Sequence, residues 1–120
     1  MKKILIADDK DSSRELVRTV LERCGYEVIE ATNGSEALRE ALSQQPDLIV
    51  LDLHMPEMDG FGVVQQLRTE SRFAVTPVVA LTASAMHGDR EKALAAGFSG
   101  YITKPIRLDY LRSEVARLLS

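Results

Sequence analysis

Short apolar runs alternate along this chain with segments in which apolar residues recur at helical spacing. The runs lie within KILIAD, YEVIEA, DLIVLDL, PVVALTA and GYITKP. The first and third runs are almost continuously apolar, which is typical of strands that are covered on both faces of a sheet. Strands that alternate with helices form parallel sheets joined by right-handed crossovers. The pattern therefore predicts an α/β fold with five strands and five helices.

Four of the predicted helices are marked by stripes of apolar residues at helical intervals. The stripes consist of Leu16, Val17, Val20, Leu21 and Cys24; Ala37, Leu38, Ala41 and Leu42; Phe61, Val64 and Leu67; and Leu108, Leu111, Val115, Leu118 and Leu119. A further helix between Met86 and Ala96 has a weaker, alanine-rich stripe, and Gly97 is a typical C-terminal stop. Asn33, with Glu36 three positions later, predicts the N-cap of the second helix.

The composition narrows the class of protein without identifying a function. A chain of 120 residues favours one domain, spanning residues 1–120, with a single core. Hydrophobic residues make up 45% and charged residues 28% of the chain, which is ordinary for a soluble globular protein. The formal net charge of −3 argues against a broad basic surface for nucleic acid. No apolar stretch approaches the ~20 residues that a membrane span requires.

The start of the chain and its cysteine content both favour a cytoplasmic location. In MKKILIADD, two aspartates interrupt the apolar run before the core of a signal peptide has formed. Cys24 is the only cysteine, so an intramolecular disulfide is excluded. Because its neighbours at helical spacing are apolar, we expect a thiol packed in the core, in a reducing compartment. We expect neither contact with a membrane nor direct contact with nucleic acid.

Polar residues stand at the carboxyl ends of four of the five predicted strands. The first strand ends at Asp8 and Asp9, the third at Asp52, the fourth at Thr82 and the fifth at Lys104. In an open parallel sheet these ends share one edge, where ligands bind at the topological switch point. One strand order of doubly wound folds, 2-1-3-4-5 as in flavodoxin, makes the first and third strands neighbours. This order would bring Asp8, Asp9 and Asp52 together.

Three carboxylates at one point repel one another unless a cation joins them. A small number of oxygen ligands suits Mg²⁺, because this ion usually binds through one or two carboxylates and a phosphate. Calcium would require more ligands, and the two histidines and the cysteine lack the spacing of a zinc site. Lys104 adds a positive charge and Thr82 a hydroxyl donor, so the group is suited to stabilise a phosphoryl group. Asp52 is the best candidate for a nucleophile that forms an aspartyl phosphate.

Each of these features, taken alone, has an ordinary structural explanation. An aspartate at the end of a strand is often a turn residue, and adjacent aspartates often cap the following helix. A lone threonine after a strand carries no signal, and a lysine before a proline is usually solvated. The functional interpretation rests on all four features occurring together, each at the end of its own strand.

Over its whole length the chain resembles the receiver domains of response regulators in two-component signalling. The motifs that carry the resemblance are ADD after the first strand, LDLHMPEMDG after the third, ALTASA at the fourth and YITKP at the fifth. The resemblance implies a flavodoxin-like sheet of five parallel strands flanked by five helices. It also implies that a sensor histidine kinase or a histidine phosphotransfer protein phosphorylates Asp52, in a switch rather than a conventional enzyme.

The resemblance assigns a metal site to the acidic residues of the sheet edge. It implies that Asp9, Asp52 and the backbone carbonyl of His54 bind Mg²⁺, with Asp8 acting partly through water. Asp52 is then both a metal ligand and the phosphoacceptor. The side chain of His54 falls at a position that tunes the rates of phosphorylation and hydrolysis in this family.

The resemblance also implies contacts to the phosphoryl group and a switch. Thr82 and Lys104 would contact the phosphoryl oxygens, and the Lys104–Pro105 peptide bond is expected to be cis. Tyr101 would swing inward as Thr82 moves towards the phosphate, unless it is simply a surface aromatic with a solvated hydroxyl. The helix between Met86 and Ala96 has few large apolar residues, so it is suited to shift. An effector protein would then bind the face formed by the fourth helix, the fifth strand and the fifth helix.

Two other classes of protein share parts of this pattern. An Mg²⁺-dependent phosphohydrolase with an aspartyl nucleophile would commonly place a second aspartate two positions after the first, where this chain has His54. Such an enzyme would also need a cap domain to select its substrate. A nucleotide- or flavin-binding domain would need a glycine-rich phosphate loop after the first strand, where this chain has the acidic segment DDKDSS.

Overall fold

The structure, a computed structural model, describes residues 1–83 and 89–120. Its strands are β1 (Lys3–Ala7), β2 (Glu27–Ala31), β3 (Leu48–Asp52), β4 (Val78–Thr82) and β5 (Gly100–Thr103). Its helices are α1 (Asp11–Arg23), α2 (Gly34–Gln44), α3 (Gly60–Arg68), α4 (Asp89–Ala96) and α5 (Leu108–Leu119), with a 3₁₀ turn at Ser71–Phe73. Each apolar run of the sequence therefore forms a strand. The predicted start of the fourth helix at Met86 lies outside the described residues.

All five strands run parallel in one sheet, in the order β2-β1-β3-β4-β5. This is the order considered from the sequence, and it confirms the doubly wound α/β fold with five helices. Ile6 of β1 lies opposite Val50 of β3, and Asp52 at the end of β3 lies opposite Leu81 of β4. The register brings the carboxyl ends of these three strands to one edge of the sheet.

The sheet separates two apolar cores, one on each face, because alternate residues of each strand point to opposite sides. The expectation of a single core is therefore wrong, since chain length alone does not record that the sheet divides the interior. One core packs Leu5, Ile49 and Ala80 against α2, α3 and α4. The other packs Ile6 and Val50 against α1 and α5. All residues of β3 and β4 are buried, as expected for central strands covered on both faces. The two cores therefore hold rigidly the strands whose ends carry the polar residues of the edge.

Two helix ends follow the signals predicted for them. The Asn33 side chain accepts a hydrogen bond of 2.8 Å from the backbone N–H of Glu36, which confirms Asn33 as the N-cap of α2. The Glu36 carboxylate accepts in turn from the N–H of Thr32 at 3.0 Å, one residue before the cap. Gly97 has a φ of +113° directly after α4, a left-handed conformation that glycine adopts without a steric cost.

The apolar stripe of α1 is shorter in the fold than in the sequence. Val17, Val20 and Leu21 are buried, but Leu16 is 43% exposed and Cys24 is exposed as well. Cys24 is the C-cap of α1, so it stands where the chain leaves the helix. The prediction of a buried thiol is therefore wrong, because the stripe continues in the sequence beyond the part of the helix that packs on the sheet.

A half-buried arginine at the end of α3 joins three segments at the end of the sheet opposite the polar edge. The Arg68 guanidinium donates to the carbonyl of Gly97 (2.8 and 3.1 Å) and to those of Phe73 (2.6 Å) and Thr76 (2.8 Å). Partial burial lowers the pKa of Arg68 below its ordinary value. The three carbonyls belong to the 3₁₀ turn, the segment before β4 and the turn that ends α4. Arg68 therefore supplies donors that water would otherwise have to provide.

Replacing Arg68 by glutamine should lower the free energy of unfolding by about 1–3 kcal/mol, because a carbonyl left unpaired in a partly buried place has a cost of this order. The shorter side chain cannot reach all three carbonyls together. Urea unfolding followed by circular dichroism measures the change. Arg39→Gln, at an exposed position of α2, is the matched control and should change stability by less than about 0.5 kcal/mol. Equal unfolding midpoints for the two variants would contradict the assigned role of Arg68.

Candidate functional site

The polar residues at the strand ends meet at the carboxyl edge of the sheet. Asp8 follows β1, Asp52 is the last residue of β3, and Thr82 is the last residue of β4. Carboxylate oxygens of Asp8, Asp9 and Asp52 all lie within 4.8 Å of one another. Because β1 and β3 are neighbours in the sheet, the strand order brings these three residues together, as predicted from the strand-end positions.

Lys104 bridges two of these carboxylates. Its Nζ donates to Asp8 Oδ2 at 3.1 Å and to Asp52 Oδ2 at 2.9 Å. The side chains of Asp8 and Asp52 are 0% and 4% exposed, and that of Lys104 is 12% exposed. Charges buried to this degree are tolerated in a fold when they are paired and hydrogen-bonded. The sequence indicates a role for Lys104 at a phosphoryl group but carries no signal for this double ion pair.

Backbone N–H groups of the adjoining turns hold the second oxygen of each buried carboxylate. Asp8 Oδ1 accepts from the N–H of Lys10, and Asp52 Oδ1 accepts from the N–H of His54, both at 2.9 Å. Each aspartate thereby organises the turn that follows its own strand. Within residues 1–83 and 89–120, no buried side-chain polar atom lacks a partner. The orientation of both carboxylates is therefore set by the chain itself.

Burial and charge shift the titration of this site. Burial raises the pKa of Asp8, and the neighbouring Asp52 carboxylate adds to the rise, against the opposing Lys10 N–H and Lys104 ammonium. Burial alone would lower the pKa of Lys104, but its contacts with Asp52 and Asp8 outweigh burial and raise it. Lys104 is therefore charged at neutral pH. One ammonium faces three carboxyl groups, so the ionised cluster keeps an excess of negative charge.

The donor set of the acidic cluster fits Mg²⁺. Magnesium takes oxygen ligands at about 2.1 Å, so two ligands of one ion lie roughly 3–4 Å apart. Oxygens of Asp8, Asp9 and Asp52 that lie within 4.8 Å of one another need little adjustment to reach this spacing. Asp9 is exposed, and Mg²⁺ usually keeps several of its water ligands. The excess negative charge of the cluster favours a cation at the same place.

The loop between β3 and α3 packs closely against the site. A Cβ atom at Gly60 would lie 2.8 Å from the carbonyl oxygen of Asp52, and one at Gly34 would collide with the carbonyl oxygen of Met58. The Asp59 side chain caps α3 by accepting from a backbone N–H at 2.9 Å. The sequence offered no signal for the contact between Gly34 and Met58, because it joins two turns that are far apart in the chain.

Thr82 and Tyr101 share one face of the sheet. Tyr101 of β5 lies opposite Ala80 of β4, and Thr82 is two residues further along β4, so both side chains point to the same side. Tyr101 is 9% exposed and packs in the core formed with α2, α3 and α4. It is therefore not the solvated surface aromatic that the sequence left open. The Lys104–Pro105 peptide bond is cis, as the resemblance implied.

A family model described as "Response regulator receiver domain" matches residues 4–116 of this chain, which include both the sheet and the polar edge. The chain belongs to the response regulator receiver domain family. It is a receiver domain of two-component signalling, as the motifs at the strand ends indicated. The matched family is neither of the two other classes that the sequence left open, the phosphohydrolase and the nucleotide- or flavin-binding domain.

Curated relatives place similar receiver domains in proteins of very different length. The "Probable transcriptional regulator ycf27" of Cyanophora paradoxa is 42% identical over 118 residues, which are 98% of this chain and 48% of that protein. The "Sensor protein EvgS" of Escherichia coli is 40% identical over 115 residues, 96% of this chain and 9% of that protein. The "Polar-differentiation response regulator DivK" of Brucella anthropi is 40% identical over 105 residues, 88% of this chain and 85% of that protein. The chain thus spans about half of one relative, a small part of another and most of the third.

Solved structures of receiver domains superpose closely on this one. Chemotaxis response regulator CheY4 of Vibrio cholerae has a TM-score of 0.93 at 35% identity, and the match covers 99% of both chains. The receiver domain of sensor histidine kinase PA1611 from Pseudomonas aeruginosa has a TM-score of 0.90 at 31% identity, covering 98% of this chain and 97% of that one. That neighbour was solved with a magnesium ion coordinated in its active site cleft. Among the described residues of the present chain, no helix is long and apolar enough to cross a membrane.

Replacing Asp8 by asparagine should stabilise the metal-free receiver domain at pH 7. Because burial raises the pKa of Asp8, the folded state binds more protons than the unfolded state between the ordinary value of 3.8 and the raised value. The protonated Asp8 carboxyl therefore contributes to the stability of the folded state below pH 3.8, and this contribution is lost as the pH rises through the raised pKa. Asparagine resembles the protonated carboxyl, so the difference between variant and wild type should shrink towards acid pH.

Urea unfolding in the presence of EDTA, at neutral pH and near pH 4, measures this difference. Asp109→Asn is the matched control, because its side chain is 68% exposed and its ion pair with Arg107 lies at the surface. The control should have nearly the same stability as wild type at both pH values. An Asp8→Asn variant that is less stable than wild type at pH 7 would contradict the prediction.

Proposed function

We propose that this receiver domain accepts a phosphoryl group on Asp52, with Mg²⁺ at the acidic cluster, and that phosphorylation changes a partner-binding surface. The observation that carries the proposal is the placement of Asp52. Its carboxylate ends a central strand, lies beside Asp8 and Asp9, and accepts from Lys104 and from the N–H of His54. Family membership supports the same assignment.

The contacts of Asp52 suit a nucleophile. The N–H of His54 and the ammonium of Lys104 each hold one carboxylate oxygen, so attack requires little reorientation. In the proposed transfer an Asp52 oxygen attacks phosphorus, the bond from phosphorus to the histidine nitrogen of the donor breaks, and that nitrogen keeps the electron pair. Lys104 and the Thr82 hydroxyl would then donate to the phosphoryl oxygens, where negative charge is concentrated. The donor is a sensor histidine kinase or a histidine phosphotransfer protein.

The residues that would hold Mg²⁺ are Asp8, Asp9 and Asp52, together with the backbone carbonyl of His54. The proximity of the three carboxylates and their excess negative charge support this assignment, as does the magnesium ion in the PA1611 receiver domain. When bound, the ion would neutralise charge on the phosphoryl group and the carboxylates. The chain's own part is to keep its acidic ligands together, which Lys104 and the turn N–H groups accomplish.

The proposed switch connects Thr82 and Tyr101. Both lie on the same face of the sheet, and the core behind them includes α4, in which Ala93 is buried while Leu94 is 43% exposed. Movement of Thr82 towards a phosphoryl group would change the space available to Tyr101. The surface formed by α4, β5 and α5 would then favour binding of an effector protein. The receiver domain acts here as a switch, not as a conventional enzyme.

Expectations about domain extent, binding partners and location accompany this proposal. We infer a single receiver domain over residues 1–120, which could stand alone or form part of a longer regulator or kinase, as the varied coverage of the relatives allows. The chain carries a net charge of −3, and we propose that it signals through protein contacts rather than by binding nucleic acid directly. The cytoplasmic location and the lack of membrane contact expected from the sequence remain predictions.

Asp52→Asn should remove phosphorylation of the receiver domain. The test is incubation with Mg²⁺ and phosphoramidate, a small donor with the same nitrogen–phosphorus bond as phosphohistidine, followed by intact-mass spectrometry. Asp59→Asn is the matched control, since it lies in the same loop and asparagine can still cap α3. The control should gain one phosphoryl group as wild type does. Uptake by Asp52→Asn at the wild-type rate would refute the assignment of the phosphoacceptor.

Thr82→Ala should leave phosphorylation possible but weaken the response of the partner-binding surface. Amide NMR spectra with and without fluoroberyllate and Mg²⁺ measure that response near Tyr101 and over residues 89–96. Thr82→Ser, which keeps the hydroxyl, is the control and should retain most of the wild-type shifts. Wild-type shifts that stay confined to residues around Asp52, with none near Tyr101 or in α4, would show that this switch does not operate here.

A further inference from the structure

The carbonyl group between the two acidic residues of the β1–α1 turn has a partner on α1. Arg14 Nη1 donates to the carbonyl oxygen of Asp8 at 2.9 Å. That carbonyl belongs to the peptide unit that joins Asp8 to Asp9. Because a peptide unit is planar, a hydrogen bond that holds its oxygen also holds the direction in which Asp9 leaves it. The contact therefore acts on the relative orientation of two carboxylates of the acidic cluster.

Arg14 is itself held by two carboxylates outside the cluster. Its Nε donates to Glu30 of β2 at 3.0 Å, and its Nη2 donates to Asp11 at 2.7 Å. Glu30 also accepts from Arg18 at 2.9 Å, so β2 and α1 are joined by two arginines on one glutamate. The Arg14 side chain is only 14% exposed. All three guanidinium nitrogens are used, and the rigid fork of arginine allows little freedom for the bond to Asp8.

The other side of Asp8 is held just as firmly. Its backbone N–H donates to the carbonyl of Ala31, the residue after Glu30, at 3.1 Å. Its side chain is held by the N–H of Lys10 and by Lys104. The hydrogen bond from Arg14 to the Asp8 carbonyl thus fixes the orientation of the peptide unit that leads to the following residue. Asp9, in contrast, is exposed.

We propose that Arg14 is a positioning residue for the metal site, which orients the Asp8–Asp9 peptide unit so that both carboxylates face one cation. The inference rests on the proposed function, because it assumes that Mg²⁺ binds at the acidic cluster. Arg14 does not contact the ion. It acts through the peptide unit, as groups that orient metal ligands do elsewhere, and losing such a group typically weakens metal binding by about 10–100-fold.

Because Arg14 is charged, a purely electrostatic role and a positioning role predict opposite changes in Mg²⁺ affinity when it is replaced. A guanidinium near a cation site repels the cation, so its removal should strengthen Mg²⁺ binding if charge is all that matters. Removal should weaken binding if Arg14 positions the ligands. Arg18 is the matched control because it lies on the same helix, carries the same charge and contacts the same Glu30.

The experiment is titration calorimetry of MgCl₂ into wild type, Arg14→Gln, Arg14→Lys and Arg18→Gln, each shown to be folded by circular dichroism. We expect Arg14→Gln to bind about tenfold more weakly than wild type. Arg18→Gln should bind as tightly as wild type or slightly more tightly. Arg14→Lys should recover part of the loss, because an ammonium can donate to the Asp8 carbonyl but cannot span Glu30 and Asp11 as a fork. Equal or tighter Mg²⁺ binding by Arg14→Gln would overturn the inference.

A second measurement keeps the test valid if Arg14→Gln is too unstable for calorimetry. Glu30→Gln retains the guanidinium and its contact with Asp11 but removes the other of its two charged anchors, so it should weaken Mg²⁺ binding by a smaller factor. In metal-free protein, the amide ¹⁵N shift of Asp9 reports the hydrogen bond to the Asp8 carbonyl and should change in Glu30→Gln but not in Arg18→Gln. The same Asp9 shift in both variants would overturn the inference. Failure of wild type itself to bind Mg²⁺ would instead refute the proposed metal site, and the inference with it.

Discussion

Two buried carboxylates and a partly buried ammonium are paired at the edge of the parallel sheet, and this pairing holds the ends of its central strands together. The Lys104 ammonium lies between the carboxylates of Asp8 and Asp52, which stand at the ends of β1 and β3. These contacts join residues that are 96 and 52 positions apart in the chain, so they exist only when the strands have their native order. Removing Lys104 would leave both carboxylates without compensation, and losing one partner of a buried ion pair in this way typically costs about 3–5 kcal/mol. The pairing with Lys104 therefore stabilises the arrangement of the strands and is also a result of it.

The same charges prepare the site for its proposed chemistry. Lys104 compensates only part of the negative charge of Asp8, Asp9 and Asp52, and the remainder attracts a cation. A phosphoryl group on Asp52 would add negative charge and new acceptors next to Lys104 and Thr82. Because the lysine already contacts both Asp8 and Asp52, such a phosphoryl group would change how it divides its hydrogen bonds. In the proposed switch, phosphorylation at one strand end would thereby affect the neighbouring strand ends.

Two arginines stabilise opposite ends of the molecule by donating to backbone carbonyls. Arg14 holds the carbonyl of Asp8 at the polar edge, and Arg68 holds the turn at Gly97 that ends α4. The turn that carries Asp8 and Asp9 and the C-terminal end of α4 are both held by these hydrogen bonds, while Ala93 is the one buried residue among residues 90–96 of that helix. A switch that moves α4 would then leave its C-terminal end in place. The domain thus combines a firmly held polar edge with a helix, α4, that is lightly packed.

Local sequence patterns by themselves determined the strands, the N-cap at Asn33, the glycine after α4 and the strand-end residues of the site. These features depend on near neighbours in the chain, where periodicity and capping act. Only the tertiary structure decided that Cys24 is exposed, that Lys104 pairs with two carboxylates, and that Arg14 reaches the carbonyl of Asp8. Burial and hydrogen-bond partners depend on which elements pack together, and no local pattern records this. The sequence could therefore indicate which residues form the site, while the packing of α1, β2 and β5 around them decided how they are held.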